Sequence, residues 1–406
     1  MTNKQYLWNN MRGGWEALLL STQTTTLRPI HQEAQYWPAL GAPIGRSTRG
    51  ASSRLPEEHM VVLLKESWCI VSPTLEPRYQ ICARLHKKQV PDDSGAYYGA
   101  DIGEERDPPG QIRQTKQLYK AINPLKHTLR TLRRYRIILE YFPFTLKESG
   151  VTRELAIVLR DASIAHGKAA TSAKFLHPDM SNRNIMFKRN GNGSVEGYLI
   201  DWDLSMDLTL AYDQSTGIQP ERMGTWQFLA IRLVQPNETG KPLIQDRIDG
   251  VESFYHLILW MALRYTAHQL DSATLTHMSH RNFDAMYKDP ETGEVDIGTM
   301  RRANMKSGDL SDEAKFANGG IREVLLQMRH VLCQRYIDPE DAFGNSKKFE
   351  AQRKAAEVKK VEGLKALEDP NWLPNLLNGV LEEEKVDWVT NEARVDHGLG
   401  KYPSNP

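Results

Sequence analysis

Two short apolar runs, Ile185-Met186-Phe187 and Gly197-Tyr198-Leu199-Ile200, flank Asn190-Gly191-Asn192-Gly193. Asn and Gly accept the positive φ angles that tight reversals demand, so this stretch reads as a β-hairpin. Hairpin closure brings its outer ends together. Asn184, just before the first run, and Asp201, just after the second, should then lie roughly 5 Å apart in backbone terms at one end of the ladder. An amide oxygen and a carboxylate converging there suit a hard cation such as Mg²⁺, held jointly with phosphate oxygens. Upstream, HPDMSNRN places Asp179 where a free carboxylate can reach the same pocket and accept or orient a hydroxyl proton. The plainer reading is a polar loop whose Asp and Asn only cap backbone groups. The position of the loop, between a helical pattern and a hairpin ending in LIDWD, weighs against it.

Composition narrows the classes. The 406 residues, 40% of them hydrophobic, can fill the core of one large or two ordinary domains. Lys plus Arg number 52 against 51 Asp plus Glu, so no global field draws the molecule to nucleic acid or an anionic membrane. Cys69, Cys82 and Cys333 are too few and too scattered for a disulfide framework and include no CxxC pair, which fits a reducing compartment. The longest apolar segment, 251–263, is too short to span a bilayer, and the N-terminus lacks a leader-like apolar run. These features predict a soluble intracellular protein, cytoplasmic or nuclear. The basic run KHTLRTLRRYR, 126–136, reads as a solvated edge beside a strand in preference to a nucleic-acid site. The histidines are dispersed, with no zinc constellation, and His166 reads as a packed or capping residue.

Along the chain, residues 1–40 form an N-terminal extension, and 41–58, dense in Gly, Ser, Pro and Arg, read as loop. Residues 60–64 read as a buried strand ending at Lys65, and 135–142 as a second strand. A short helix is expected in 74–88 and a surface insertion over 91–126. From Val151 to Ala169, apolar residues recur at helical spacing; 251–263, apolar almost all round, reads as a buried helix. Beyond about 340 an exposed charged helix and a Gly/Pro-containing tail are expected. No internal repeats are evident.

H-x-D-x-x-x-x-N followed by an Asp after a hairpin is the arrangement shared by protein-kinase catalytic loops and their metal-binding Asp. Val62-Leu63-Leu64-Lys65 stands where such chains carry V-A-I-K, and Gly224-Thr225-Trp226-Gln227-Phe228-Leu229-Ala230 where they carry G-T-x-x-[YF]-x-A. More narrowly, VVLLKESW, ELAIVLRDASIAH, HPDMSNRNIMF, YLIDWDLSMDL, GTWQFLAIRL and VESFYHLILW resemble the fungal-type protein kinase family, which is also similar to aminoglycoside phosphotransferases. The resemblance runs from about 41 to 336. It implies an α+β bilobal protein-kinase-like fold, with a small β-rich N-lobe over 41–142, a mainly helical C-lobe over 143–340, and a charged helix and tail over 341–406. It further implies ATP and Mg²⁺ as cofactors and a protein Ser/Thr acceptor. By resemblance, Lys65 holds the nucleotide phosphates with Glu76 as its partner, Gly45 belongs to an abbreviated glycine loop (GRSTRG, 45–50), and Tyr141 and Phe142 contact adenine through their backbone. Asp179 is the base, Asn184 and Asp201 the Mg²⁺ ligands, and Thr225 a support for Asp179.

Departures from the general pattern keep other functions open. Pro178 replaces the Arg of H-R-D, which argues against control by phosphorylating Ser205, Thr209 or Tyr212. Ser181 replaces a Lys, and Asp203 stands for the Gly of D-F-G. Arg232 occupies the place of the Glu of A-P-E, which pairs with a distant Arg. Gly250 occupies the place of an Asp that braces the catalytic loop, with Asp249 one residue out of phase. A pseudokinase that binds nucleotide or a partner without turnover, and a small-molecule phosphotransferase, therefore stand beside the kinase as alternatives.

Overall fold

The computed structural model describes residues 49–54, 61–70, 78–91, 95–101, 132–210, 224–234, 243–285, 287–288, 295–296, 299–344, 346–386, 388 and 395–398. The chain forms two compact units, Met1–Lys88 with Ser94–Tyr141, and Gln89–Asp93 with Phe142–Pro406.

The first unit contains β1 (Arg49–Arg54), β2 (Val61–Ile70), α1 (Arg78–Lys87), β3 (Ala96–Asp101) and β4 (Leu132–Glu140). The strands form an antiparallel sheet in the order β1-β2-β4-β3. Side chains alternate between the two faces of a strand. On one face Tyr135, Ile137 and Leu139 of β4 cluster with Leu63 and Cys69 of β2 and with Tyr79 and Cys82 of α1. Lys65, paired in register with Ile137, shares that face. On the other face Glu66 receives hydrogen bonds from Arg134 and Arg136. Burial alone would raise the Glu66 carboxyl, but these two guanidiniums hold it below its ordinary value.

Several local expectations are corrected here. Residues 49–54, expected as loop, form β1, because pairing with β2 supplies the hydrogen bonds that Gly and Ser do not encourage on their own. β2 runs on past Lys65 to Ile70, the fifth and later pairs being held by β4. The expected insertion 91–126 includes β3, which closes the sheet edge against β4 with an irregularity at Ala96/Tyr98. Arginines of the basic run are paired within the sheet: Arg133 with Asp101 at 2.5 Å, and Arg134 and Arg136 with the one carboxylate of Glu66.

The second unit begins with β5 (Phe144–Thr145) and α2 (Thr152–Lys168), then β6 (Phe175–Leu176), β7 (Ile185–Arg189), β8 (Val195–Leu199) and β9 (Met206–Asp207). α3 (Arg247–Tyr265), α4 (Thr299–Ser307), α5 (Gly319–Leu332), α6 (Glu350–Glu368) and α7 (Trp372–Glu382) are its longer later helices. β5, β7 and β8 form a three-stranded sheet and β6 pairs with β9. The hairpin forms as its sequence requires: Ile185 pairs with Leu199 and Arg189 with Val195, and Gly193 at φ +84° closes the turn.

Leu155, Val158, Leu159, Ala162 and Ala165 of α2 are buried, as their spacing predicts. α2 lies so close to β8 that a Cβ on Gly197 would stand 2.8 Å from the Val158 Cα, and the Gly197 N–H donates to Asp161 Oδ2 at 2.9 Å. α3 is buried along nearly its whole length and is capped by reciprocal bonds between Asp246 and Asp249. The region expected as tail includes α7, whose Leu373, Leu377, Val380 and Leu381 are buried where it packs on α2 and α5. Among the described residues no helix is long and apolar enough to cross a membrane.

Candidate active site

β6 ends at Leu176 and β7 begins at Ile185, so residues 177–184 form a loop whose two ends are fixed by strands. Inside it, His177 organises the backbone. Its Nδ1 accepts the Asp179 N–H at 3.2 Å, so its Nε2 carries the proton and donates to Ile200 O at 2.9 Å. Burial lowers the affinity of the ring for a second proton, while the backbone bond to Ile200 and the nearby charges of Asp179 and Asp201 act the other way. A neutral imidazole thus ties the loop to the far strand of the hairpin. The Trp202 ring meets it edge-on at 4.8 Å.

Both carboxylate oxygens of Asp179 are engaged. Oδ1 accepts the Thr225 main-chain N–H at 2.7 Å and Oδ2 accepts Asn184 Nδ2 at 2.9 Å. Asn184 Nδ2 also donates to Asp179 O at 2.9 Å. Each carboxylate oxygen has a further lone pair, so the group is aimed by these bonds and can still accept a proton. With its NH₂ committed to Asp179, Asn184 retains Oδ1 as an acceptor. The Thr225 contact supports Asp179 through the backbone and not through the hydroxyl. Gly224 makes that possible: its φ is +127°, and a Cβ would stand 2.8 Å from Pro178 O and from Leu229 Cδ2.

At the hairpin end, Asn184 lies opposite Ile200, whose N–H donates to Asn184 O at 2.8 Å. Asp201 follows in the left-handed region, φ 63° and ψ 54°. The convergence expected from the sequence is therefore offset by one residue, and a turn of backbone at Asp201 separates it from the ladder. Strained non-glycine conformations of this kind cost about 1–3 kcal/mol and gather at functional sites. The donor set of an amide oxygen and a carboxylate suits Mg²⁺, which takes one or two carboxylates plus phosphate oxygens. Among the described residues no three His, Cys, Asp or Glu side chains converge as a cage.

In the first unit Lys65 is 7% exposed, on the face that packs against α1. α1 itself, RYQICARLHK, contains no Asp or Glu. Glu76 and Gly45 lie outside the described residues, as does Tyr212. The division between the units falls between Tyr141 and Phe142. Tyr141 is 36% exposed, and Phe142 is buried against Tyr198 with ring centroids 4.3 Å apart. Ser205 is buried and donates to Trp202 O, and Thr209 donates to Asp207 Oδ1 at 2.6 Å. The Ser181 hydroxyl is buried, so it offers no group to solvent where a Lys would stand.

Sequence reasoning missed the residues that anchor the segment after Gly224. Ile231 N–H donates to Glu252 Oε1 at 2.8 Å, and Glu252 also pairs with Arg335 and accepts the Tyr336 hydroxyl at 2.6 Å. Burial would raise the Glu252 carboxyl, but His256, Arg335 and Tyr336 together hold it at about 2. The acid absent at position 232 is thus supplied by α3. Arg232 in turn pairs with Asp249 and Asp246, and Arg335 reaches Asp249 at 2.9 Å. This occupies Asp249 away from the loop 177–184. The loop is braced instead by Gln245, whose Nε2 donates to Pro178 O at 2.9 Å. Arg301, fully buried, donates to the carbonyls of Trp226, Leu229, Asn282 and Phe283. A carboxylate at the second position of the apolar run 251–263 was the available signal for Glu252.

No curated protein matches the chain. A family model described as Fungal protein kinase matches residues 51–262, just over half of the chain. The matched span includes Lys65, the loop with Asp179 and Asn184, the hairpin, Asp201 and most of α3. By that match and the arrangement of the loop, the chain belongs to the fungal protein kinase family, and its fold is the α+β bilobal kinase type.

Proposed function

We propose that the protein is an ATP-dependent kinase that transfers the γ-phosphoryl group of Mg-ATP to the hydroxyl of a protein Ser or Thr. One observation carries this reading: Asp179 is aimed by two neutral donors, Thr225 N–H and Asn184 Nδ2, that leave it a carboxylate with a free lone pair. Such a group orients an acceptor hydroxyl and takes its proton as the bond to phosphorus forms. Asn184 Oδ1 and the Asp201 carboxylate are the groups assigned to Mg²⁺, which when bound neutralises the charge of the nucleotide phosphates. Lys65 is assigned to those phosphates by family membership. The two features that favoured a pseudokinase, Arg232 and Gly250, have structural compensations in Glu252 and Gln245.

The test is a thermal melt with and without ATP and Mg²⁺, joined to transfer of labelled phosphate onto proteins and onto small alcohols. Stabilisation by Mg-ATP together with labelled protein supports the reading. Label on small alcohols alone would assign a small-molecule phosphotransferase. A second reading is nucleotide binding without turnover. Stabilisation with no transfer to any acceptor would select it.

A further inference from the structure

Gly250 lies in the first turns of α3 and does not have a positive φ, so conformational freedom does not explain it. A glycine inside a helix is less favourable than alanine. Space accounts for it. A Cβ at 250 would stand 2.5 Å from His166 Cε1 and nearer still to Nε2. The imidazole therefore fills the volume that any side chain at 250 would need. His166 comes from the last turn of α2, is 2% exposed, and meets the Phe254 ring edge-on at 6.0 Å. Its Nε2 is buried without a hydrogen-bond partner among the described residues. Such an orphan is destabilising, as a hydrocarbon ring in the same notch would not be.

α3 reaches the loop from this point. It does so through Gln245, just ahead of its first turn, which bonds Pro178 O. His166 of α2 is buried beside α3; burial first, then His177 and Arg247, push its pKa down to about 3. His177 is the residue that holds the Asp179 N–H and Ile200 O.

We infer that His166 is a positioning residue for the loop 177–184: seated in the notch left by Gly250, its ring sets the spacing of α2 and α3 and so fixes the Gln245 bond to Pro178 O, and with it the backbone at Asp179. The effect on turnover rests on the proposed kinase reading; the effect on the loop does not.

The experiment compares His166→Ala, Gly250→Ala, the double variant and His166→Phe in the full chain. Hydrogen exchange follows the amides of 177–184, and kinetics follows kcat and KM for ATP. In His166→Ala, exchange at the Asp179 amide should quicken about tenfold or more while α5 stays protected. With the loop loosened, kcat should fall about 10–100-fold at unchanged KM for ATP. Gly250→Ala, which keeps the imidazole but displaces it, should do the same. The double variant should be milder than the product of the two singles, because the added methyl enters emptied volume. His166→Phe restores volume and should restore protection of the loop. Wild-type exchange at Asp179 in both single variants overturns the inference, and so does a loss of protection spread evenly over α2, α3 and α5. If the wild type itself transfers no phosphate, the kinase reading fails, and the exchange results still decide the role of His166. If His166→Ala does not fold, Gly250→Ala and His166→Phe decide it.

Discussion

Thr225 and Asp179, 46 residues apart in sequence, are joined by a bond from the Thr225 backbone N–H to the Asp179 carboxylate at 2.7 Å. Because the donor is main chain, the threonine side chain is dispensable for this contact and the preceding glycine is not. Thr225→Ala should retain most phosphate transfer. Gly224→Ala must place a Cβ against Pro178 O at φ +127°, at a cost of about 1–3 kcal/mol, and should lose most transfer. Equal activity in the two variants would show that the backbone contact is unimportant.

Asp179→Asn keeps the size of the side chain but removes its basicity. The expected result is a loss of about 10²–10⁴-fold in kcat with Mg-ATP still raising the melting temperature. Asp201→Asn should instead remove the Mg²⁺-dependent part of that stabilisation. Loss of all nucleotide response in Asp179→Asn would point to a role in binding rather than in proton transfer.

Glu252 is the hub of the buried charge network. Replacing it with Gln removes one of the two carboxylates that face Arg335 and leaves Asp249 at 2.9 Å, so the expected loss is at most about 3–5 kcal/mol in denaturant unfolding. Arg335→Met added to Glu252→Gln should recover part of that loss, since the two side chains act as one unit. Additive losses would show that their contact contributes little.

Two buried histidines set a pH dependence. Burial lowers the pKa of His166 to about 3 and also lowers that of His256. In the unfolded chain both titrate near 6.5. As pH falls below that value the unfolded state binds protons first, so the stability these groups contribute is complete above about pH 6.5 and is lost toward their folded values. Each contributes a slope of about 1.4 kcal/mol per pH unit. Urea midpoints at pH 7.5, 6.5 and 5.5 should therefore decline, and His166→Phe should flatten part of the decline. A midpoint constant over this range would contradict the sign.

Local periodicity made much of this fold legible. The hairpin at 185–200, α2 and α3 each announce themselves within a few turns of their own sequence, and Asp179, Asn184 and Asp201 follow from where the hairpin ends. β1 and β3 do not, because Gly, Ser and Asp adopt strand geometry there only through partners in β2 and β4. Glu252 and Arg335 lie 83 residues apart, and nothing local to either names the other. Arg232 and Gly250 looked like defects for the same reason: each is answered by a side chain from a different element.

α7 lies more than a hundred residues beyond the end of the family-matched span, yet it covers α2 with Leu373, Leu377, Val380 and Leu381, and Pro370 rests on Gly167 just beside His166. A fragment cut at the family boundary would present that apolar face to water and should be insoluble on expression. α2, α3 and the C-terminal helices belong to one compact unit, and any shortened version for crystallography or assay has to run through to α7.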